Sequence, residues 1–280
     1  MVSFLARAYR AARSRAARAL RPLLRPRRFD LCCCGLSKTG THSMAGIFEN
    51  YRSAHHPDGD LRLPLAIAWL KGEVGEPEVR RTLRCRDRDL WLEMESSSLA
   101  GILIEPFVRA CPDKKFVLTL RDVYSWCDSW IDHNLNQPPA DSSPWLALDR
   151  VRLRIDDFSP TRFDAPLTER GLPPLACYFQ LWTSHNARVL EAVPANRLLI
   201  VETGRLSEKM PEIAQWVGMP AETMRADRKW IFAAPRKHRV LSTLDGSYVR
   251  ETADRHCGAL LREYFPDLSW DDAAQLGRES

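Results

Sequence analysis

The stretch "DLCCCGLSKTGTHSMAGIF", residues 30–48, decides how the rest of the chain is read. Phe29–Cys34 is a short apolar run and reads as a buried strand; Gly35–Ser43 is a loop of glycine, lysine and hydroxyls; Met44–Tyr51 continues as a helix. A strand that turns through glycine into a helix N-terminus presents free backbone N–H groups to an anion. Gly35 and Gly40 allow unusual backbone angles and close approach. Lys38 adds a point charge, and Ser37, Thr39, Thr41 and Ser43 add hydroxyls. His42 is placed to cap or orient. The loop is not the GxxxxGK[ST] loop of nucleoside triphosphatases, because Lys38 precedes Gly40 and no Ser or Thr stands where magnesium would need one.

Working outward, apolar strands alternate with helical runs. A short strand is expected to end at His55 and His56, and residues 64–88 read as helical and charged. "DLWLEMESSS" reads as a strand ending in the polar cluster Glu93–Ser98, and "LAGILIEPFVRACP" as a helix. "KKFVLTLRD" reads as a strand ending at Arg121, followed by the helix "VYSWCDSWIDHNL". Later come the long helix "LACYFQLWTSHNARVLEAV", the strand "NRLLIVET", the helix "LSEKMPEIAQWVGM", the basic loop "RKHRVLS" and a last helix near 247–264. This alternation implies an α/β fold: three layers, α/β/α, around a central, mainly parallel sheet. In such sheets ligands collect at the carboxyl ends of the strands. The clusters at 37–43, 55–56, 93–98 and 121 are therefore expected on one rim.

Residues 136–174 differ, being rich in proline and acid with little periodicity. They read as a partly ordered insertion or lid, in which Trp145 and Phe158 could close over a substrate. Trp126 and Trp130, four apart, read as core.

The chain has 280 residues, 45% of them hydrophobic and 28% charged, with net charge +5, which suits a soluble globular protein with a mild preference for anionic partners and gives no case for nucleic acid. The bias to arginine and alanine is that of a bacterial genome. The eight cysteines contain no CxxC pair, so they read as buried apolar residues in a reducing compartment, and no metal is expected. Residues 1–28 hold nine arginines and no acid. On a helix, Arg7, Arg10, Arg13, Arg18, Arg21 and Arg25 gather opposite Leu5, Tyr9, Ala12, Ala16, Leu20 and Leu23. This basic amphipathic arm is suited to peripheral contact with an anionic membrane, placing a cytoplasmic protein at the inner face. The domain proper is expected over 29–280.

"GLSKTGTHS" resembles the 5′-phosphosulfate loop of sulfotransferases that use 3′-phosphoadenosine 5′-phosphosulfate (PAPS). "FVLTLRDVYSWCDS" is similar to the family's second signature, an arginine ending a strand and a serine eight residues on, here Arg121 and Ser129. "APRKHR" is similar to its late basic loop, which gives Arg236 and Lys237 as phosphate contacts. The resemblance covers residues 29–265 apart from the 136–174 insertion. It implies a P-loop-like fold, PAPS as donor, adenosine 3′,5′-bisphosphate as product, and Lys38 serving the leaving group.

The resemblance leaves the general base open. Relatives acting on heparan-type sugars use a glutamate where this chain has "SAHHPD", hence His55 or His56. Cytosolic small-molecule relatives use a histidine where this chain has "LEMESSS", hence Glu93 or Glu95. The acceptor is expected to be a hydroxyl of a carbohydrate, lipid or secondary metabolite. A P-loop small-molecule kinase and a non-enzymatic, membrane-associated nucleotide-binding protein stand as alternatives.

Overall fold

The computed structural model describes residue 23 and residues 25–228 and 236–271. Most of the basic arm (1–22 and 24) and the start of "APRKHR" lie outside the described residues. Arg27 and Arg28, at the end of the arm, pack on the domain: Arg27 bonds Asp87 (2.9 Å) and covers Trp91, and Arg28 bonds Glu93 (2.8 Å) and covers Tyr51. Among the described residues no helix is long and apolar enough to cross a membrane.

Five strands form one sheet in the order β2-β3-β1-β4-β5: β1 (Leu31–Cys33), β2 (Ser53–His55), β3 (Met94–Ser96), β4 (Lys115–Leu120) and β5 (Leu198–Glu202). Every pairing is parallel, with Leu31 opposite Met94 on one side and Lys115 on the other. Strand side chains alternate between faces. Leu31, Cys33, Met94 and Val117 therefore meet one layer, formed by α1 (Thr41–Ile47) and, near the end of the chain's sheet segment, a helix over Met210–Val217. Cys32, Phe116 and Leu118 meet the other layer: α2 (Gly59–Leu70), α3 (Glu76–Leu90), α4 (Ser98–Ile102) and α5 (Ile104–Ala110). Beyond the carboxyl ends of the strands, α6 (Val123–Asn136) joins a third apolar cluster with the long helices over Leu175–Ala192 and Gly246–Tyr264. This is the P-loop-like α/β/α architecture.

Three local expectations change. The run 64–88 is two helices, because Gly72 turns the chain at φ +69° and Gly75 opens α3. "LAGILIEPFVRACP" is two helices, since Leu103 leaves helical geometry between α4 and α5. The 136–174 segment is more ordered than its composition implies. It carries α7 (Pro144–Arg152), capped by Ser143, and α8 (Ala165–Thr168), preceded by a capping box between Thr161 and Asp164. The remaining helices in chain order are α9 (Leu175–Ala192), α10 (Met210–Val217) and α11 (Gly246–Tyr264). Seven cysteines are buried and Cys85 is exposed, all of them free.

Gly35 is dictated by contact. A methyl group there would stand 2.1 Å from Thr119 Oγ1 and 2.7 Å from the Thr119 carbonyl. Gly35→Ala is expected to cost about 1–3 kcal/mol through overpacking. Gly75→Ala, which meets only Pro77 at 3.7 Å, is expected to be near neutral. Urea midpoints of the two variants check this.

Candidate active site

The loop after β1 is built by pinning back its carbonyls. His185 Nε2 lies 2.9 Å from the Cys34 carbonyl, Thr39 Oγ1 donates to Leu36 (2.7 Å), Trp126 Nε1 to Ser37 (2.9 Å), Arg121 Nη1 to Lys38 (3.2 Å), and Thr203 Oγ1 to Thr39 (2.9 Å). In a trans peptide the next N–H points opposite its carbonyl. Each tie therefore turns an amide toward the far side of the loop. The N–H groups of Lys38 and Gly40 meet no backbone carbonyl among the described residues. Lys38 and Gly40 hold this course with φ +72° and +87°. Thr39 is fully buried, its hydroxyl shared between Leu36 and Thr119, so it is structural mortar of the loop; Ser43 is buried in the first turn of α1.

Lys38 Nζ has no hydrogen bond or ion pair among the described residues, and burial, Arg121 and Lys237 together lower its pKa. Arg121 is also pushed down by burial; its Nε donates to Ser125 Oγ (2.9 Å), and Trp182 Nε1 fixes its carbonyl. Along α6, Ser125, Ser129, Asp132 and Asn136 share one face by helical spacing. Ser125 holds Arg121. At the other end, Lys237 pairs with Asp132 (3.4 Å), the His238 amide donates to Asp132 (2.7 Å), and Asn136 Nδ2 donates to the Arg236 carbonyl (2.9 Å). Ser129, buried, lies between those two attachments. Lys38, Arg121, Ser129 and Lys237 are thus brought around one place; the Arg236 side chain stands exposed at its margin.

Beside this cationic place opens a cleft of about 480 Å³, lined by the loop, the end of β2, α6 and α7. His42 and His55 stack with ring centroids 3.4 Å apart, and His55 lies edge-on to His56 at 4.3 Å. His55 Nε2 meets Thr41 Oγ1 (3.1 Å) and His56 Nδ1 meets Ser97 Oγ (2.9 Å). Burial, then neighbouring histidines and Arg62, push His55 down to about 2; burial, then Arg62 and His42, push His56 down to about 3. His42 is lowered by burial and Lys38. The rings at 55 and 56 are neutral at physiological pH.

The two glutamates stand apart from this cleft. Glu93 precedes β3, at the amino end of the sheet, where it accepts from Arg28 and from the Arg52 amide; the structure does not bring it to the loop. Glu95 is buried between Arg62 (2.7 Å) and Arg86 (2.6 Å). Burial raises its pKa, but the two guanidinium groups outweigh that and hold it near 2. Arg62 also donates to the Pro57 carbonyl and Arg86 to Asp58. This buried cluster clamps the turn that carries His56 and Asp58, both at positive φ (+46° and +57°). Such strain persists only where the surroundings impose it.

Several cleft residues had not been singled out in the sequence: His133, Asn134, Asn136, Asp149 and Arg152. His133 and Asn136 follow from helical spacing from Ser129, whereas Asn134 does not. Those on α7 have no such signal. Trp126 is core, as expected, whereas Trp130 is buried yet lines the cleft. Trp145 reaches the cleft against His56 (5.1 Å), but Phe158 packs on His256 instead.

The family model for the sulfotransferase domain matches residues 30–210, most of the chain and the whole site up to α10, so the chain belongs to the sulfotransferase family. Sulfuryl transfer is the activity that assignment supports. A sulfotransferase from Alicyclobacillus acidocaldarius, known from its crystal structure, is similar at 14% identity and a TM-score of 0.40, over 83% of this chain and 95% of that one. No protein of curated function matches the sequence.

The depressed histidines fix a pH dependence. A histidine with a folded pKa below its ordinary 6.5 binds protons more readily when unfolded, so its contribution is complete above 6.5 and falls away as pH drops toward 3 and 2. Glu93 and Glu95, lowered from 4.5 to about 2, add to the loss below 4.5. Urea midpoints are expected to fall from pH 7 to 5 and more steeply below. In a His55→Asn/His56→Asn double variant the upper part of the fall should be smaller, the remainder coming from His185, which burial also lowers to about 3.

Proposed function

We propose that the protein transfers the sulfuryl group of PAPS to a hydroxyl acceptor. The observation that carries this is the convergence of Lys38, Arg121 and Lys237 beside a loop with turned amides. Lys38 and Arg121 make no ion pair among the described residues, and each is depressed by burial. Desolvated cations that make no ion pair suit an anion, and a nucleotide with charge at both its 3′ and 5′ positions fits this distribution. Lys38 and the loop would hold the 5′ end; Arg121, Ser129 and Lys237 would hold the 3′-phosphate, with Arg236 at the margin.

The donor supplies an activated sulfuryl group, whose bond to the nucleotide phosphate breaks as the acceptor oxygen bonds to sulfur. The chain's part is positioning and charge. Lys38 stabilises negative charge on the leaving oxygen. His56 takes the acceptor's proton: in the tautomer whose Nδ1–H donates to Ser97 Oγ, Nε2 is the basic atom. His56 is unprotonated at neutral pH, as a base must be, although its low pKa weakens the pull on the proton. A bound anion opposes the cations that lower it and so raises it toward the working range. His55, tied to Thr41 and stacked on His42, orients its neighbour. Glu95 holds the turn through Arg62 and Arg86.

Thermal unfolding with adenosine 3′,5′-bisphosphate, and with ATP-magnesium in parallel, tests the donor site. Stabilisation by the bisphosphate is expected, with affinity lowered about 10- to 100-fold in Lys38→Ala and Arg121→Ala. Stabilisation by ATP-magnesium alone would overturn the reading in favour of a kinase. With PAPS and an acceptor, His56→Asn is expected to lower kcat by about 10²–10⁴ while bisphosphate affinity is retained; unchanged turnover would remove His56 as the base.

A further inference from the structure

We propose that α7 and the end of α6 form a recognition site for an uncharged, polyhydroxylated acceptor, a glycosyl residue, with Arg152 and Asp149 as its reading pair. This rests on the sulfuryl-transfer reading above and names the class of acceptor.

Two buried donors at this end of the cleft lack partners. Arg152 Nη1 and Trp130 Nε1 have none among the described residues, although Arg152 has a side chain only 6% exposed and Trp130 is 3% exposed. The guanidinium lies over the Trp130 ring at 4.4 Å, so the two donors belong to one wall. An unpaired buried donor is costly, and a site is expected to supply the missing oxygen through its ligand.

Charge then selects the ligand. Arg152 Nε and Nη2 both reach Asp149 Oδ1, at 2.8 and 2.6 Å. The pair cancels itself, unlike Lys38 and Arg121 at the donor end. A carboxylate or sulfate on the acceptor would meet a guanidinium already neutralised and a carboxylate beside it. A hydroxyl meets a donor in Arg152 and an acceptor in Asp149, the match that neighbouring hydroxyls of a sugar ring require. Asn134 and Gln137 add amides that both donate and accept. Trp145 stands edge-on to His56, which places an indole for the apolar side of a ring next to the basic nitrogen. A flat phenol could use the indoles but would leave the buried donors unpartnered, which sites of this kind reject strongly.

Saturation-transfer NMR with the full chain tests this, using methyl glucoside, cellobiose and trehalose as neutral probes, glucuronate as a charged one and 2-naphthol as a planar one, each with and without adenosine 3′,5′-bisphosphate. Saturable binding of at least one neutral sugar is expected, in preference to glucuronate and 2-naphthol. Asp149→Asn and Trp145→Ala should weaken it at least tenfold with bisphosphate affinity unchanged. Trp145 is only partly buried, so its variant serves even if the Asp149 variant folds poorly. No binding by any neutral sugar, preference for glucuronate or 2-naphthol, or indifference to both substitutions would overturn the proposal. Sugar binding that persists where the bisphosphate fails to bind would instead remove the donor assignment and leave this site standing.

Discussion

The site depends on the outward fixing of the carbonyls after β1. A loop rich in glycine and hydroxyls has many conformations, and nothing in its own sequence compels its amides to face one way. The constraint comes from side chains remote in sequence: His185 on α9, Trp126 on α6, Arg121 after β4 and Thr203 after β5 each hold one carbonyl. The helices that close the far ends of the sheet are thus coupled to the loop by single hydrogen bonds. Packing explains why these bonds form. Gly101 lets α4 approach so closely that a methyl group there would stand 2.3 Å from the His185 ring, and that approach puts the ring on the Cys34 carbonyl. Arg121 has two tasks in this arrangement, since the guanidinium that fixes the Lys38 carbonyl is also a half-buried cation that makes no ion pair among the described residues.

A second constraint sits one strand away. The turn after β2 places a histidine where most residues avoid positive φ, and a buried cluster of two arginines and two carboxylates holds it there. Such clusters are weak evidence for stability, since desolvation offsets much of the attraction. Their geometry is demanding, however. Glu95 receives one guanidinium from α2 and another from α3, so both helices are registered to β3, and through the Pro57 carbonyl and Asp58 the turn is registered to both. The cluster is better understood as a device for orientation than as a source of cohesion.

These two constraints mark what the sequence could disclose. The strand, glycine loop and helix at 30–48 are local, and their reading carried through to the parallel sheet; of the polar clusters expected on one rim, Glu93 lies instead at the amino end of the sheet. Arg121 and Ser129 were legible because a strand end and a helix face fix their spacing. Glu93 and Glu95 were not separable from sequence as candidate bases: two residues apart on one strand, they differ only in which end of the sheet and which arginines each meets. Arg152 and Asp149 were hidden more deeply. They lie in a proline-rich segment without periodicity, and they matter only because α7 docks on α2 and slides a guanidinium over Trp130. A local pattern cannot report a contact made by tertiary packing.

The separation of charge across the cleft joins these parts. At one end, Lys38 and Arg121 make no ion pair among the described residues, a setting suited to an anion. At the other, Arg152 is neutralised by Asp149. Between them lie His55 and His56, held low first by burial and then by their neighbours Arg62 and His42. On the reading proposed above, an anion bound at the first end would add a negative charge that favours the protonated form of the nearby histidines, His56 included. An acceptor without charge would leave that gain intact, whereas an acidic one would add a second negative charge beside the bound anion. On that reading the two ends of one cleft suit ligands of different charge, an anionic donor at the first and an uncharged acceptor at the second.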